Sequence, residues 1–485
     1  MVEETKEDFN DFKKIWEKEK SNFERISVFV GDNETNINFS WYSTDEEDPY
    51  IKIGKKSDLS DGKSTKGTSE TQFERDIDYY GYTYINEELK IGGKRYYTKK
   101  VTIKNIERNT TYYYQRYIHG SWENKIYTYK TYDDKDFKFI FVGDPQIGGS
   151  HGRYRRYPDF KYVTTNDEGN CNDAYNWNFV LEKAFDFVKE PSVLLTAGDQ
   201  ADETSDYTSP DYPAQLVNTE SQYSAFLYPD YMKQIVTATC VGNHEIGSNS
   251  FARHFNTPNS FTNSGTVNNF NGWYPGHSYF FKYNNVLVVV LETNYGSEDD
   301  YRRILRNAIF KYPNTDWRIA LFHHDIFGNG STHSQSDSRS RRGEIFNVLS
   351  KYKFDLVING HDHVYTASKI VSYELKNYVL NYNSPDNYKP IDIKDKSNIR
   401  NPQGIFFVTA NCSTGAKYLD LMDDPNIDYV NYYKQSLSQS FGVLHFTETD
   451  NEVQLSITTY ETKEYNIIDG SYVIKKDKGS NNKVF

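Results

Sequence analysis

Five short apolar runs in this chain each stop at a residue able to bind a proton or a cation. Phe137–Val142 runs into Gly143-Asp144, Val193–Ala197 into Gly198-Asp199, and Ile235–Cys240 into Val241-Gly242-Asn243-His244-Glu245. Trp317–Phe322 runs into His323-His324-Asp325, and Phe354–Ile358 into Gly360-His361-Asp362-His363. Runs this short, rich in β-branched and aromatic residues, read as buried strands, as does Val286–Leu291 between them. Stretches of helical periodicity intervene at 178–189, 301–310 and 342–352. Strands alternating with helices predict a parallel sheet, and such a sheet carries its site at the carboxyl ends of its strands. The pattern demands an α/β unit with its polar groups gathered along one edge.

Singly, each ending is ordinary. Asp after Gly is a turn or a helix cap, and a lone His at a strand end is a surface residue. In order, on successive strands of one unit, they predict a metal centre. Its donors are Asp144, Asp199, Asn243, His323, His361 and His363. Carboxylates, an amide oxygen and imidazoles, with no thiolate, suit Fe, Mn or Zn. These side chains are too many for one open catalytic ion but suit two, about 3.5–4 Å apart, with one carboxylate shared. Two cations lower the pKa of a water between them and neutralise phosphoryl oxygens. That is the chemistry of phosphoester hydrolysis with a metal-bridging hydroxide as nucleophile.

Upstream of residue 135 the pattern changes. Asn36–Trp41 alternates polar and apolar residues as a half-buried strand does. Tyr50–Ile53, Tyr97–Ile103, Tyr112–Tyr117 and Ile126–Thr131 read as further short strands, so residues 26–134 predict a β-sandwich. The polar stretch Lys55–Asp76 reads as a mobile loop. Residues 1–25 place Phe9, Phe12, Ile15, Trp16 and Phe23 near helical spacing, which predicts a helical segment packed on the rest of the protein. Within residues 135–485, Gln403–Ala410 adds a late strand, and Phe441–Phe446 and Val453–Tyr460 read as antiparallel strands.

The formal charge of −12 argues against a broad surface for nucleic acid or an anionic membrane, which needs clustered Lys and Arg. No apolar run approaches the roughly 20 residues of a membrane span. Cys171, Cys240 and Cys412 are far apart and odd in number, so no disulfide framework is predicted. The charged start Met1-Val2-Glu3-Glu4 does not read as a signal peptide. The expected partner is a small-molecule phosphoester; nothing in the sequence sets the oligomeric state.

The ordered set Gly-Asp, Gly-Asp, Gly-Asn-His-Glu, His and Gly-His-x-His resembles the calcineurin-like metallophosphoesterase superfamily. Asn38-Phe39-Ser40-Trp41, Asn109–Tyr114 and Ser121–Thr131 are similar to the fibronectin-type-III-like N-terminal domain of the purple acid phosphatases, and Ser440-Phe441-Gly442 to a phrase near that family's C-terminus. The resemblance spans residues 26–465. It implies a four-layer α/β/β/α metallophosphoesterase domain after the β-sandwich, holding two divalent or mixed-valence metal ions. Carried over by position, Asp199 would bridge both ions. Asp144 and His363 would hold the first, and Asn243, His323 and His361 the second. His244 would bind phosphate and act as general acid toward the leaving alkoxide. His333 falls at the place of a substrate-binding histidine. His324 would sit behind a ligand or touch substrate, with Asp325 orienting it. Arg341 and Arg342 would contact phosphate or lie on a helix surface. The family often works outside the cell, which implies a secreted or cell-surface protein.

Two residues depart from the purple enzymes and their kin. The purple enzymes carry Tyr three residues after the bridging Asp, and its phenolate on ferric iron gives the colour; this chain has Asp202. Non-purple members often have Asp-x-His at the first motif; this chain has Gln146, which would offer an amide oxygen or sit behind the metal. An oxygen there tilts the site towards Mn or Fe over Zn. The expected reaction is phosphate monoester hydrolysis. A phosphodiesterase or nucleotide pyrophosphatase would share the core and differ in pocket loops, for which 170–177, 205–220 and 255–274 are candidates. A metal-bearing binding protein without turnover is the reading from another class; the complete donor set and His244 argue against it.

Overall fold

The strands expected before each polar ending are present in the computed structural model, which describes residues 2–70, 74–76, 83–85, 88–203, 205, 209–246, 248–261, 276–376, 382–424 and 427–479. Asp136–Val142, Val193–Thr196 and Val236–Thr239 pair in parallel, Phe139 opposite Val193 and Leu194 opposite Thr237. A second parallel set, Val286–Val290, Trp317–Leu321, Leu356–Asn359 and Ile405–Thr409, forms the middle of an eight-stranded sheet. These strands are apolar almost throughout because both faces of each sheet are covered.

The described helices are α1 (Val2–Glu19), α2 (Asn166–Val188), α3 (Tyr212–Phe226), α4 (Ser250–His254), α5 (Glu298–Lys311) and α6 (Asp337–Lys351). The two sheets face each other: Phe137 and Phe139 meet Tyr283 with ring centroids 6.0 and 5.6 Å apart, and Trp317 meets Phe446 at 6.4 Å. Helix α2 lies on Asp136–Val142 and Ser440–Glu448 with α3 beside it. On the opposite side α5 lies on Tyr279–Tyr283 and Val286–Val290, and α6 on Tyr365–Tyr373. The layering is α/β/β/α.

Upstream, Ile37–Ser43 pairs with Ser27–Val30 and Tyr97–Ile103, and Tyr50–Gly54 pairs with Thr111–Ile118 in a facing sheet. Phe39 meets Tyr114 across the gap at 5.1 Å. The first of these sheets does not end at the sandwich. Ser27–Val30 pairs in parallel with Val236–Thr239, Phe29 opposite Thr237, so one sheet of eleven strands runs from the sandwich into the catalytic unit. Helix α1 packs on its own protein as expected: Phe12 and Trp16 set their rings 5.6 and 5.8 Å from Tyr228. Ile15, expected on the packed face, is 50% exposed.

Several local expectations need correction. Ile37–Ser43 is buried at every position rather than half-buried. Its polar side meets backbone carbonyls instead of water: Asn38 Nδ2 donates to Asn256 O at 2.7 Å and Ser40 Oγ to Arg253 O at 2.6 Å. Lys55–Asp76 is not a single loop; it contains the strands Lys63–Lys66, Thr68–Glu70 and Glu74–Asp76, polar as edge strands are. Residues 170–177 lie in α2 and are no loop, and 212–220 lie in α3; of the rest of 205–220, residues 206–208 lie outside the described residues. The first half of α2 and all of α3 escaped notice because they bury polar residues, Asn170, Asn172, Asp173 and Asn176 in one and Glu220, Gln222 and Ser224 in the other, which erases an apolar stripe. Most of 255–274 lies outside the described residues.

Candidate metal centre

Each donor named from the sequence follows the carboxyl end of a parallel strand, and Asp144, Asp199, His361 and His363, with Gln146 beside them, hold a backbone conformation that L-residues rarely adopt. The angle φ is +37° at Asp144 and Gln146, +47° at Asp199, +77° at His361 and +49° at His363. Such residues cost on the order of 1–3 kcal/mol each and persist only when their surroundings over-determine them. Here the turns interlock. Gln146 N–H donates to Asp199 O at 2.7 Å, His361 N–H to both Asp144 carboxylate oxygens at 3.0 Å, and His244 N–H to Asp199 Oδ1 at 3.2 Å. The Glu245 carboxylate accepts from the backbone N–H of Gly242, Asp199 and Ala201 at 2.7, 3.1 and 3.1 Å. Burial and the nearby Asp199 push its pKa up to about 8. Gly242 gives room for this closeness: a Cβ there would lie 1.9 Å from Asp199 Oδ1.

The side chains converge lone pair to lone pair. His323 Nδ1 donates to Ala197 O at 2.8 Å, which turns Nε2 inward as an acceptor. That Nε2 lies 3.0 Å from Asn243 Oδ1, 3.2 Å from Asp199 Oδ2 and 3.0 Å from His361 Nδ1. His361 has its other nitrogen, Nε2, on Asp337 Oδ2 at 2.9 Å, so its Nδ1 is an acceptor too. Four acceptors around one point need a cation or a proton. His363 repeats the device: Nδ1 donates to Lys417 O at 2.8 Å, and Nε2 faces Asp144 Oδ1 at 3.5 Å. The ligand atoms of Asp199, His323 and His361 lie within 4.8 Å of one another, as do those of Asp144, Asp199 and His363. Asp199 belongs to both groups.

The electrostatics agree with a cation here. Burial would lower the His323 pKa, yet Asp199 and Asp144 raise it to about 10, so the field at this ring favours positive charge. Asp199 is held well below the usual carboxylate range, burial being outweighed by His323 and His244. His361 is pushed down to about 3, by burial first and then by its histidine neighbours, and is neutral as a ligand must be.

His244 stands at the rim with its side chain 24% exposed. Its Nδ1 hydrogen-bonds the Asp202 carbonyl, and its Nε2 is 3.1 Å from Gln146 Nε2 and 3.9 Å from Asp199 Oδ2. Burial alone would lower its pKa; Asp199 and Asp202 outweigh that and raise it. Gln146 Nε2 donates to Asp202 Oδ1 at 3.0 Å, and its buried Oε1 has no protein partner. An orphaned acceptor beside this donor set fits a bound cation, as do the residues present as a whole.

His333 reaches the same place: its ring lies over His361, centroids 3.9 Å apart, and its Nδ1 meets Asp337 Oδ1 at 3.1 Å. His324 is buried behind His361 and bonds Thr293 Oγ1 through Nδ1 at 2.7 Å. Asp325 does not orient it; it accepts from Ser334 and Ser338 hydroxyls at 2.5 and 2.6 Å and holds the loop that carries His333. Arg341 and Arg342 are neither on a helix surface nor beside the donors. Arg341 donates to the carbonyls of Thr293, Asn294 and Asp337, and Arg342 lies buried against Phe327, Tyr388 and Tyr429. Sequence reasoning missed Glu245 and Asp337. The first had a signal in its own motif; the second had only its place four residues after His333, at a helix start.

Such a centre on this layering defines a metal-dependent phosphoesterase. Residues 137–365 match the family described as calcineurin-like phosphoesterase, and residues 23–131 match the purple acid phosphatase N-terminal domain. The chain thus carries a calcineurin-like phosphoesterase domain behind a purple acid phosphatase N-terminal domain. Among solved structures it is similar to the purple acid phosphatase PPD1 from yellow lupin (Lupinus luteus) seeds, at 16% identity and a TM-score of 0.59, covering 94% of this chain and 74% of that one. It is also similar to PhoD, at 9% identity and a TM-score of 0.50, covering 92% of each chain. Members of the metallophosphoesterase family generally bind two metal ions. Among the described residues no helix is long and apolar enough to cross a membrane.

Proposed function

We propose that this chain is a secreted phosphomonoesterase with a binuclear metal centre behind a fibronectin-type-III-like sandwich. The observation that carries the reading is the convergence of acceptors on His323 Nε2, with Asp199 common to two donor groups. Asp144, Asp199 and His363 would hold one ion, and Asp199, Asn243, His323 and His361 the other. When bound, two cations supply charge for the phosphoryl oxygens and acidify a water between them. Burial would lower the His244 pKa, but Asp199 and Asp202 outweigh it and favour the protonated ring, which then serves as general acid toward the leaving alkoxide. Asp202 anchors His244 and Gln146 rather than taking the role of a coloured phenolate. The unpaired Gln146 Oε1 supports a hard site and Mn or Fe over Zn.

Metal content measured beside p-nitrophenyl phosphate hydrolysis, for the starting chain and His244→Ala, tests this. Two ions in both proteins with activity lost only in the variant supports the reading; equal activity removes His244 from its role. Faster turnover of bis(p-nitrophenyl) phosphate than of the monoester would replace it with a diesterase. Secretion has its own check: of five Asn-X-Ser/Thr sites, Asn109 is exposed while Asn38, Asn329 and Asn411 are buried, so protein from its native source should carry glycan at Asn109.

A further inference from the structure

Asp337 opens α6 and reaches the centre with both oxygens in use. Oδ2 accepts from His361 Nε2 at 2.9 Å and Oδ1 from His333 Nδ1 at 3.1 Å. The two rings lie over each other at 3.9 Å, tilted by 34°. For His361 this fixes the tautomer: the proton is on Nε2, and the lone pair of Nδ1 faces His323 Nε2 at 3.0 Å among the converging donors. For His333 it fixes the ring, leaving Nε2 for whatever enters the site, while its backbone N–H donates to Asp362 at 3.1 Å. The carboxylate suits its place, since the aligned N–H groups at the start of a 15-residue helix favour negative charge. Ser336 Oγ also donates to Oδ1 at 3.0 Å.

We propose that Asp337 is a positioning residue shared by a metal-binding histidine and a substrate-side histidine. Ion retention and substrate affinity then depend on one carboxylate that holds both rings. The substrate half rests on the phosphoesterase reading above; the metal half does not. A carboxylate behind a metal-binding histidine orients the ring and raises its basicity, and its loss costs roughly 10- to 100-fold in metal affinity or activity.

The test uses the full chain loaded with Mn(II) alone and the variants Asp337→Ala, Asp337→Asn and Asp337→Glu. Asparagine keeps the shape but removes the charge and one acceptor; glutamate keeps the charge. In chelator competition the Ala and Asn variants should release one of two ions at roughly 10- to 100-fold lower chelator activity. At saturating Mn(II) their KM for p-nitrophenyl phosphate should rise, and Glu should restore part of both. Wild-type chelator midpoints in Ala and Asn would overturn the proposal. So would a loosened ion with unchanged KM, or a loss that tracks a fall in Tm and is not recovered by Glu. A starting chain that binds two ions yet hydrolyses no phosphoester would sink the functional reading, and the chelator arm would still decide whether Asp337 holds His361.

Discussion

Replacing Gly242 by alanine tests whether the centre depends on close approach of its turns. A Cβ at 242 would lie 1.9 Å from Asp199 Oδ1 and 2.6 Å from Asp199 N, where contacts under 3.0 Å essentially never occur. The carboxylate must therefore retreat by about 1 Å, and a misplacement of that size costs roughly a hundredfold in rate, or ~2.7 kcal/mol of barrier. Overpacking of one methyl costs about 1–3 kcal/mol of stability, which a domain with a typical 5–15 kcal/mol survives. The assay is metal per chain after dialysis, kcat/KM on p-nitrophenyl phosphate, and Tm. A folded Gly242→Ala protein should lose at least one ion and about two orders of magnitude in kcat/KM. A variant that keeps both ions and stays within about threefold of the starting kcat/KM refutes the reasoning.

Three further outcomes follow from features away from the ions or at their edge. Asp173, fully buried, accepts from Gly148 N–H and Ser150 N–H at 2.9 and 3.1 Å, and burial pushes its pKa from 3.8 up to about 7. The folded state holds that proton more tightly, so stability is greatest below pH ~4 for this group and falls as pH rises to about 7, by at most ~4 kcal/mol; urea midpoints across this range should flatten in Asp173→Asn, and an unchanged slope would exclude Asp173 as the cause. Trp16→Ala should cost about 3–5 kcal/mol with kcat/KM unchanged, because Trp16 is 1% exposed and packs on Phe12 and Tyr228; equal denaturation curves would mean that α1 does not dock in solution. Protein loaded with ferric iron should stay free of phenolate charge-transfer colour, since Asp202 occupies the tyrosine position; a strong visible band would show that another tyrosine reaches the ion.

The catalytic half was legible because its sequence repeats one physical unit. A buried strand advertises itself as a short apolar run, and the turn after it must expose its polar groups, so Gly198-Asp199 or Gly360-His361 marks both fold and site. The half-buried reading of Ile37–Ser43 failed for the converse reason. Alternation in Asn38, Phe39 and Ser40 reports polarity, and polarity is satisfied by carbonyls of 253–256 as well as by water. Polar burial also hid the first turns of α2 and all of α3. What sits behind the donors was least legible. The tautomers of His323 and His363 are set by the carbonyls of Ala197 and Lys417, and a carbonyl leaves no mark on a sequence.

The backbone pairing of Phe29 with Thr237 makes the sandwich and the catalytic unit a single woven surface. A protein cut after residue 134 would not release a catalytic half with a finished exterior; it would bare one flank of Val236–Thr239, a buried strand left paired only with Val193–Thr196 and open to self-association. Nor can the sandwich swing over the metal-bearing edge as a separate lid without tearing that seam. Changes in what this enzyme accepts must then come from its loops, while the front and back of the chain are inherited, folded and lost together.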